Sequence, residues 1–390
     1  MSLIQRIHGA VAARSFSFAA RWWRLATLAL LACTITAPAR SDDPATYHVR
    51  KICDRPTGCF TTIQAAVDAA KNDQSVGWVL VDVGPGDFNE KVVLNRDKIR
   101  LMGAGPTRTR LHFDSVAEYA GHYDRDNWGT PGSATLAIAA DDVAIRKLTI
   151  ENTFDYLAND ALPPGDPRKI SNSQGLAVLL DTDSDRISFD KVHLIGYQDT
   201  LFTHGKRALF RNGVISGNID FIFGSGMLLI ENSTIRSRRR AASIPPGGFA
   251  SFITAPSTPA NQPIGIVIYR SRLTREPGVA DGSVALGRPW HPTTTFPDGR
   301  YADPQAIGQA IFIDCFMDAH IHPDHWTSMA GTAPDGSKNR LFHAADSRFF
   351  EQGSSGPGSR RRPVDIKWTN PPTIAEVRQI LFAGWDYPMG

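Results

Sequence analysis

The sequence predicts an all-β chain wound as a parallel β-solenoid, and three observations predict it. Short apolar runs return at a nearly constant interval: the second half of 186–195, then 208–216 and 228–237, each broken by a polar turn at Asp190, Asn212 or Asn232. The turn spacings of 22 and 20 residues match one solenoid coil, in which neighbouring strands stack about 4.8 Å apart. Two carboxylates repeat the same interval, because Asp199 in Tyr197-Gln198-Asp199-Thr200-Leu201-Phe202 and Asp220 in 217–224 lie 21 positions apart. Finally, 390 residues exceed an ordinary small domain, whereas a solenoid grows along one axis and stays one unit. With 42% hydrophobic and 21% charged residues, the chain is neither disordered nor a multi-span membrane protein.

The elements follow in order. Arg6, Arg14, Arg21 and Arg24 precede the apolar run 25–33, and Ala37-Pro38-Ala39 follows with small residues flanking a cleavage point. This pattern predicts a secretory signal over 1–39 and a single domain over 40–390. The run is too short to remain as a membrane anchor. Its removal takes away four Arg and no acid, so the formal charge of +3 becomes −1 and no basic nucleic-acid footprint survives. Leu30-Leu31-Ala32-Cys33 leaves an alternative, a lipoprotein whose N-terminus is Cys33. The product is accordingly secreted or periplasmic, or an outer-membrane lipoprotein.

In an oxidising compartment Cys53 and Cys59, which flank a short loop, would pair; two reduced thiols are the alternative. Cys315, in an apolar run, reads as a buried hydrophobe. Residues 61–70 combine a Thr start with Ile63, Ala66, Val67 and Ala70 at helical spacing. Such a short helix covers the open first coil, whose strand edge is otherwise exposed. Strands are expected at 79–83, 99–102, 143–150 and 176–180. Beyond Arg240 the beat lengthens to 39 and then 43 residues, from Asn232 to Ser271 and on to Asp314. Loop-rich stretches at 115–135, 153–173, 241–263 and 289–305 are expected to wall a groove. The polar tail 353–363 wraps the outside, and 372–382 forms a last short helix. The Arg triplets 238–240 and 360–362 read as solvated surface, with contact to an anionic ligand as the alternative. His320, His322 and His325 lack metal-ligand spacing and read as a solvated loop.

On adjacent coils Asp199 and Asp220 would stand about one strand spacing apart. Two carboxylates that close do not both ionise easily, so one keeps its proton as a general acid while the other acts as nucleophile or base. Turn residues that satisfy backbone amides are the plainer reading. Phe202, Phe221 and Phe223 weigh against it, since a solvated turn favours small polar neighbours.

Three motifs in order, 196–201, 217–224 and Leu286-Gly287-Arg288-Pro289-Trp290, together resemble the pectin methylesterase family. The likeness runs from about 47 to 388. Gly86-Asp87-Phe88-Asn89-Glu90 is similar to the family's Gly-x-Tyr-x-Glu, with Phe88 in place of Tyr, and 348–351 resembles its C-terminal signature. The resemblance implies a right-handed parallel β-helix that hydrolyses methyl esters on galacturonate units of pectin or oligogalacturonides and releases methanol. It implies Asp220 as nucleophile, Asp199 as acid and then base, Arg288 as the group orienting Asp220, and Gln198 and Gln174 as oxyanion donors. Trp290, Phe221 and Phe202 would line the sugar groove. Met329 and Trp326 would join them, with plain core as the alternative for Trp326. Arg207 would meet a free carboxylate of the polymer or stand as surface. No metal or cofactor is implied, and the enzyme is expected to work as a monomer.

A retaining glycosidase also uses two carboxylates, about 5 to 5.5 Å apart. The paired Gln and the Arg-Pro-Trp motif favour ester chemistry. A polysaccharide lyase would need calcium-binding acids, and the sequence has no clear acidic cluster. A noncatalytic polysaccharide-binding protein and an envelope-associated ester or thioester hydrolase stay open.

Overall fold

The computed structural model describes residues 44–54, 57–73, 77–122, 129–244, 247–360 and 366–387. The expected export signal with Cys33, and Arg361 and Arg362 of the second Arg triplet, lie outside them. Residues 43–390 form one compact unit.

Each coil contributes one strand to each of three parallel sheets, which have eleven, eight and seven strands among the described residues. The fold is a right-handed parallel β-helix. Because register is kept from coil to coil, identical positions stack into columns. One inward column of the eleven-stranded sheet runs Val81, Leu101, Ile145, Phe189, Phe210, Ile230, Ile268, Phe312. All eight are fully buried, and each such side chain contributes roughly 1.5–3 kcal/mol of transfer free energy.

The corner from the eleven- to the eight-stranded sheet is a two-residue turn in six successive coils, begun by Lys147, Lys191, Asn212, Asn232, Arg270 and Asp314, all left-handed with φ between 46° and 57°. Asn and Asp tolerate this region. Asp190 does not hold this place: it pairs in register with Arg211 at a strand end, and Lys191 makes the turn. A spacing argument that looks for Asn and Asp overlooks a Lys that the stack forces into the same conformation. For the same reason the next corner is begun by Arg270, one residue before the expected Ser271, which is its second residue; Asp314 begins the corner after it, as expected. The predicted loop 241–263 also hides a strand, Ser251–Pro256, paired to Ile219–Gly224.

The predicted first helix is Ile63–Lys71, capped by Thr62 and burying the four expected apolar positions. The Glu90 carboxylate accepts from the backbone amides of Ile63 at 2.8 Å and Gln64 at 2.9 Å, satisfying two orphan donors of its first turn. Cys53 and Cys59 form a disulfide. The last helix, Ile374–Leu381, has a Thr373–Glu376 capping box and buries Val377 and Leu381 on the eleven-stranded sheet.

Arg207 serves that helix and not a sugar groove. It donates to the Leu381 and Ala383 carbonyls at 3.3 and 2.5 Å and forks onto Asp185 at 2.8 and 2.6 Å. These partners hold its side chain on the eleven-stranded sheet, and it is not among the residues lining the cleft of Asp199 and Asp220. The histidine cluster is likewise not a solvated loop: His320 and His325 are fully buried and His322 nearly so. Burial draws the His320 imidazole down to about 4. Among the described residues no group of His, Cys, Asp and Glu is arranged to hold a metal ion. Cys315 is buried, which pushes its thiol up to about 12.

Candidate active site

Five consecutive strands of the seven-stranded sheet set the site. In register, Val178, Leu201, Ile222, Thr254 and Gly287 stack on one another. Asp199 stands two residues before Leu201 and Asp220 two before Ile222, so both carboxylates leave the same edge of adjacent strands. Both backbones are left-handed, with φ of 67° and 50°. At Asp220 a bulge in the pairing with Ser251–Pro256 places Ile219 opposite Phe252 and Ile222 opposite Thr254. The extra residue is what lets Asp220 face the cleft while the next residue, Phe221, points inward.

The two carboxylates, only 8% and 7% exposed, face one cleft of about 430 Å³ together with Gln174, Gln198 and Arg288. Arg288, the residue after strand Val284–Gly287, forks onto Asp220: Nε donates to Oδ1 at 2.8 Å and Nη2 to Oδ2 at 2.6 Å. Burial holds the Asp199 carboxyl well above the ordinary range, the charge of Asp220 adds to this, and Arg288 opposes it. The pair is thus divided as like charges at close range must be, with the proton on the carboxyl that has no guanidinium of its own. The Gln198 carbonyl oxygen of the side chain accepts from Ser173 at 3.4 Å, and the Gln174 Oε1 is buried.

The apolar side of the cleft is a stack. Phe202 and Phe223 occupy the same register position and lie 4.3 Å apart, centroid to centroid, with Trp290 edge-on to both at 5.9 and 5.4 Å. Met329 and, from the predicted wall 115–135, Thr130 and Pro131 complete the lining.

Two expected groove residues are core instead. Phe221 is fully buried, because the bulge that frees Asp220 turns the next side chain inward; a Cβ on Gly217 would meet the Phe221 Cβ at 2.3 Å. Trp326 stacks on Phe349 at 4.5 Å and is 4% exposed. It occupies the rung after Gly287, whose missing side chain leaves room for its ring. Phe223 stands where Phe221 was expected. Its signal was in the sequence, since Phe202 and Phe223 each follow an Asp by three positions. Thr130 and Pro131 carry no comparable signal, because a wall is placed by tertiary packing.

A family model described as Pectinesterase matches residues 50–381. Over 303 residues the chain is 42% identical to Pectinesterase A of Dickeya dadantii, covering 77% of this chain and 80% of that one. A pectin methylesterase structure from Erwinia chrysanthemi superposes with a TM-score of 0.77 at 36% identity, covering 90% of this chain and 99% of the other. A pectin methylesterase variant solved with a bound hexasaccharide gives 0.79 at 36% identity, covering 89% and 99%. One from Yersinia enterocolitica gives 0.74 at 39%, covering 84% and 100%.

Proposed function

The chain belongs to the pectinesterase family, and on that premise we propose that it removes methyl esters from galacturonate units of pectin, with Asp220 as nucleophile and Asp199 as general acid and base. An Asp220 oxygen attacks the ester carbonyl carbon, and the side-chain amides of Gln174 and Gln198 stabilise the oxyanion that forms. As the C–O bond to the methoxy group breaks, Asp199 gives its proton to the departing oxygen and methanol leaves. The Asp199 carboxylate then takes a proton from water, whose oxygen attacks the acyl carbon bound to Asp220. Collapse frees the galacturonate carboxyl, returns Asp220 as a carboxylate and leaves Asp199 protonated. Arg288 holds both Asp220 oxygens, so the attacking atom keeps one orientation throughout.

The observation that carries this reading is the unequal pair: one carboxylate gripped by a guanidinium, the other buried in the same cleft with its pKa held up, both facing paired amides. The aromatic stack suits the methyl group and the C–H faces of the sugar. No described helix is long and apolar enough to cross a membrane. Residues 1–39 direct export; the mass of the exported product distinguishes cleavage after Ala39 from lipidation of Cys33.

The deciding assay follows methanol and reducing ends separately during incubation with methylated pectin. Methanol without new reducing ends, lost in Asp220→Ala, supports the esterase. New reducing ends without methanol would make the pair a glycosidase.

A further inference from the structure

Two residues of the Arg238-Arg239-Arg240 triplet, which a solvated face would explain, are built into the protein beside the Asp199 turn, while Arg239 is exposed. The Arg238 guanidinium lies 3.7 Å from the Tyr197 ring centroid and donates to the Tyr197 hydroxyl at 2.8 Å and the Gly196 carbonyl at 3.0 Å. Tyr197 stacks on Tyr156, centroids 5.1 Å apart and planes 11° from parallel. Arg240 stands 6.0 Å from the Tyr156 ring. Each ring of the stack therefore has a guanidinium close by, the tighter contact being Arg238 on Tyr197. Asp160 locks the assembly. Its carboxylate accepts from Arg240 at 2.9 and 2.7 Å and from the amides of Ala241 and Ala242 at 2.8 and 2.9 Å. It thereby ties the short helix Tyr156–Ala161 to the loop that leaves strand Thr234–Ser237.

Tyr197 is the point from which both reacting carboxylates hang. It precedes Asp199 by two residues, and its carbonyl accepts from the amide of Asn218, which precedes Asp220 by two, at 2.9 Å. Tyr156 is 3% exposed. Its burial raises the phenol pKa well above the ordinary value, with Arg240 opposing and with Asp160 and Asp199 adding. The titratable groups acting on Asp199 are thus Asp220 and Arg288 in the cleft and Tyr156, with Arg238 beside Tyr197 and Arg240 beside Tyr156.

We propose that the Arg240–Tyr156–Tyr197–Arg238 stack, closed by Asp160, is a positioning element of the reaction: it fixes the Tyr197–Asp199 turn and keeps water from the back of the Asp199 carboxyl. The proposal rests on Asp199 acting as the acid. Tyr156, Arg238, Arg240 and Asp160 are positioning residues, acting through Asp199 and not on the substrate.

The test compares Tyr156→Leu, Tyr156→Phe and Asp160→Ala with Asp199→Asn in the exported chain, with kcat, KM and the pH profile read from methanol release on methylated pectin. Tyr156→Leu and Asp160→Ala should lower kcat about 10- to 100-fold with KM within about twofold of wild type. Their alkaline limb should move to lower pH by about one pH unit as water reaches Asp199. Tyr156→Phe keeps the stacked ring and should recover most of kcat. Folded Tyr156→Leu and Asp160→Ala with wild-type kcat and an unmoved alkaline limb would overturn the proposal. A rise in KM alone would do the same, making the stack a sugar-binding wall. If Tyr156→Leu does not fold, Arg238→Met interrupts the stack at Tyr197 and is read by the same criteria. Full turnover by Asp199→Asn would instead remove the acid assignment itself, whereas loss in Asp199→Asn with no change in the stack variants would remove only the positioning role.

Discussion

Asp185 and Asp199 belong to one coil, are similarly buried at 6% and 8% exposure, and hold their protons in opposite ways. On the eleven-stranded face, burial pushes the Asp185 carboxyl up, but the Arg207 fork and the nearby Arg186 outweigh it and hold the group below the ordinary range. On the seven-stranded face, burial pushes Asp199 up, Asp220 pushes it further, and Arg288 is already committed to Asp220. Burial alone therefore does not decide what a carboxyl does. The number of guanidinium groups within reach of each carboxylate does, and that number separates a structural ion pair from a reactive one.

The sharpest way to break this contrast is to remove the nucleophile. Asp220→Ala should lower methanol release on the order of 10⁴-fold or more while leaving the melting temperature within a few degrees of wild type; undiminished turnover would end the reactive reading. Next in size, Gln198→Ala and Gln174→Ala should each cost about 10²–10³ in kcat, measured under saturating pectin. A loss confined to KM would reassign them to binding. On the opposite face, Arg207→Ala should leave kcat unchanged but cost about 2–3 kcal/mol in urea unfolding, since Asp185 loses its fork and the last helix loses a donor to its final carbonyls.

The smallest effect sharpens the contrast most. A carboxyl whose folded pKa is raised binds its proton more tightly folded than unfolded. Its cost to stability is therefore absent below about pH 3.9, grows as pH rises from there to the raised value, and is constant above it. Asp199→Asn should abolish turnover yet melt a few degrees above wild type near neutral pH, with the gain vanishing in acid. Asp185→Asn should move stability the other way, destabilising at neutral pH, with the difference fading as pH falls through its lowered value. In wild type, kcat should decline as alkali strips the proton from Asp199.

Much of this was legible in the sequence because a solenoid repeats its geometry at a fixed interval. The 21-residue offset of Asp199 and Asp220, the capping helix with its four buried positions, and the final helix all followed from local pattern. Where the sequence misled, a local pattern was overruled by a neighbour on another coil. Phe221 reads like Phe202 until the bulge at Asp220 turns it inward. Lys191 looks like a surface residue and makes a corner. Arg207 and Arg240 look like free surface charge because their partners, Asp185 with the last helix and Asp160, are remote in sequence. The strand Ser251–Pro256 was hidden among Gly, Pro and Ser, and only its pairing with Ile219–Gly224 defines it.

The six two-residue corners begun by Lys147, Lys191, Asn212, Asn232, Arg270 and Asp314 behave as a metronome for the molecule. At the next corner, leading into the strands that carry the reacting groups, the connection ranges from residue 218 alone to the whole of 153–177. One edge keeps time while the other improvises. The variable edge carries walls and chemistry together, since Tyr156, Asp160 and Gln174 all lie within 153–177, so a wall for a different polymer can be grafted there only around those three residues.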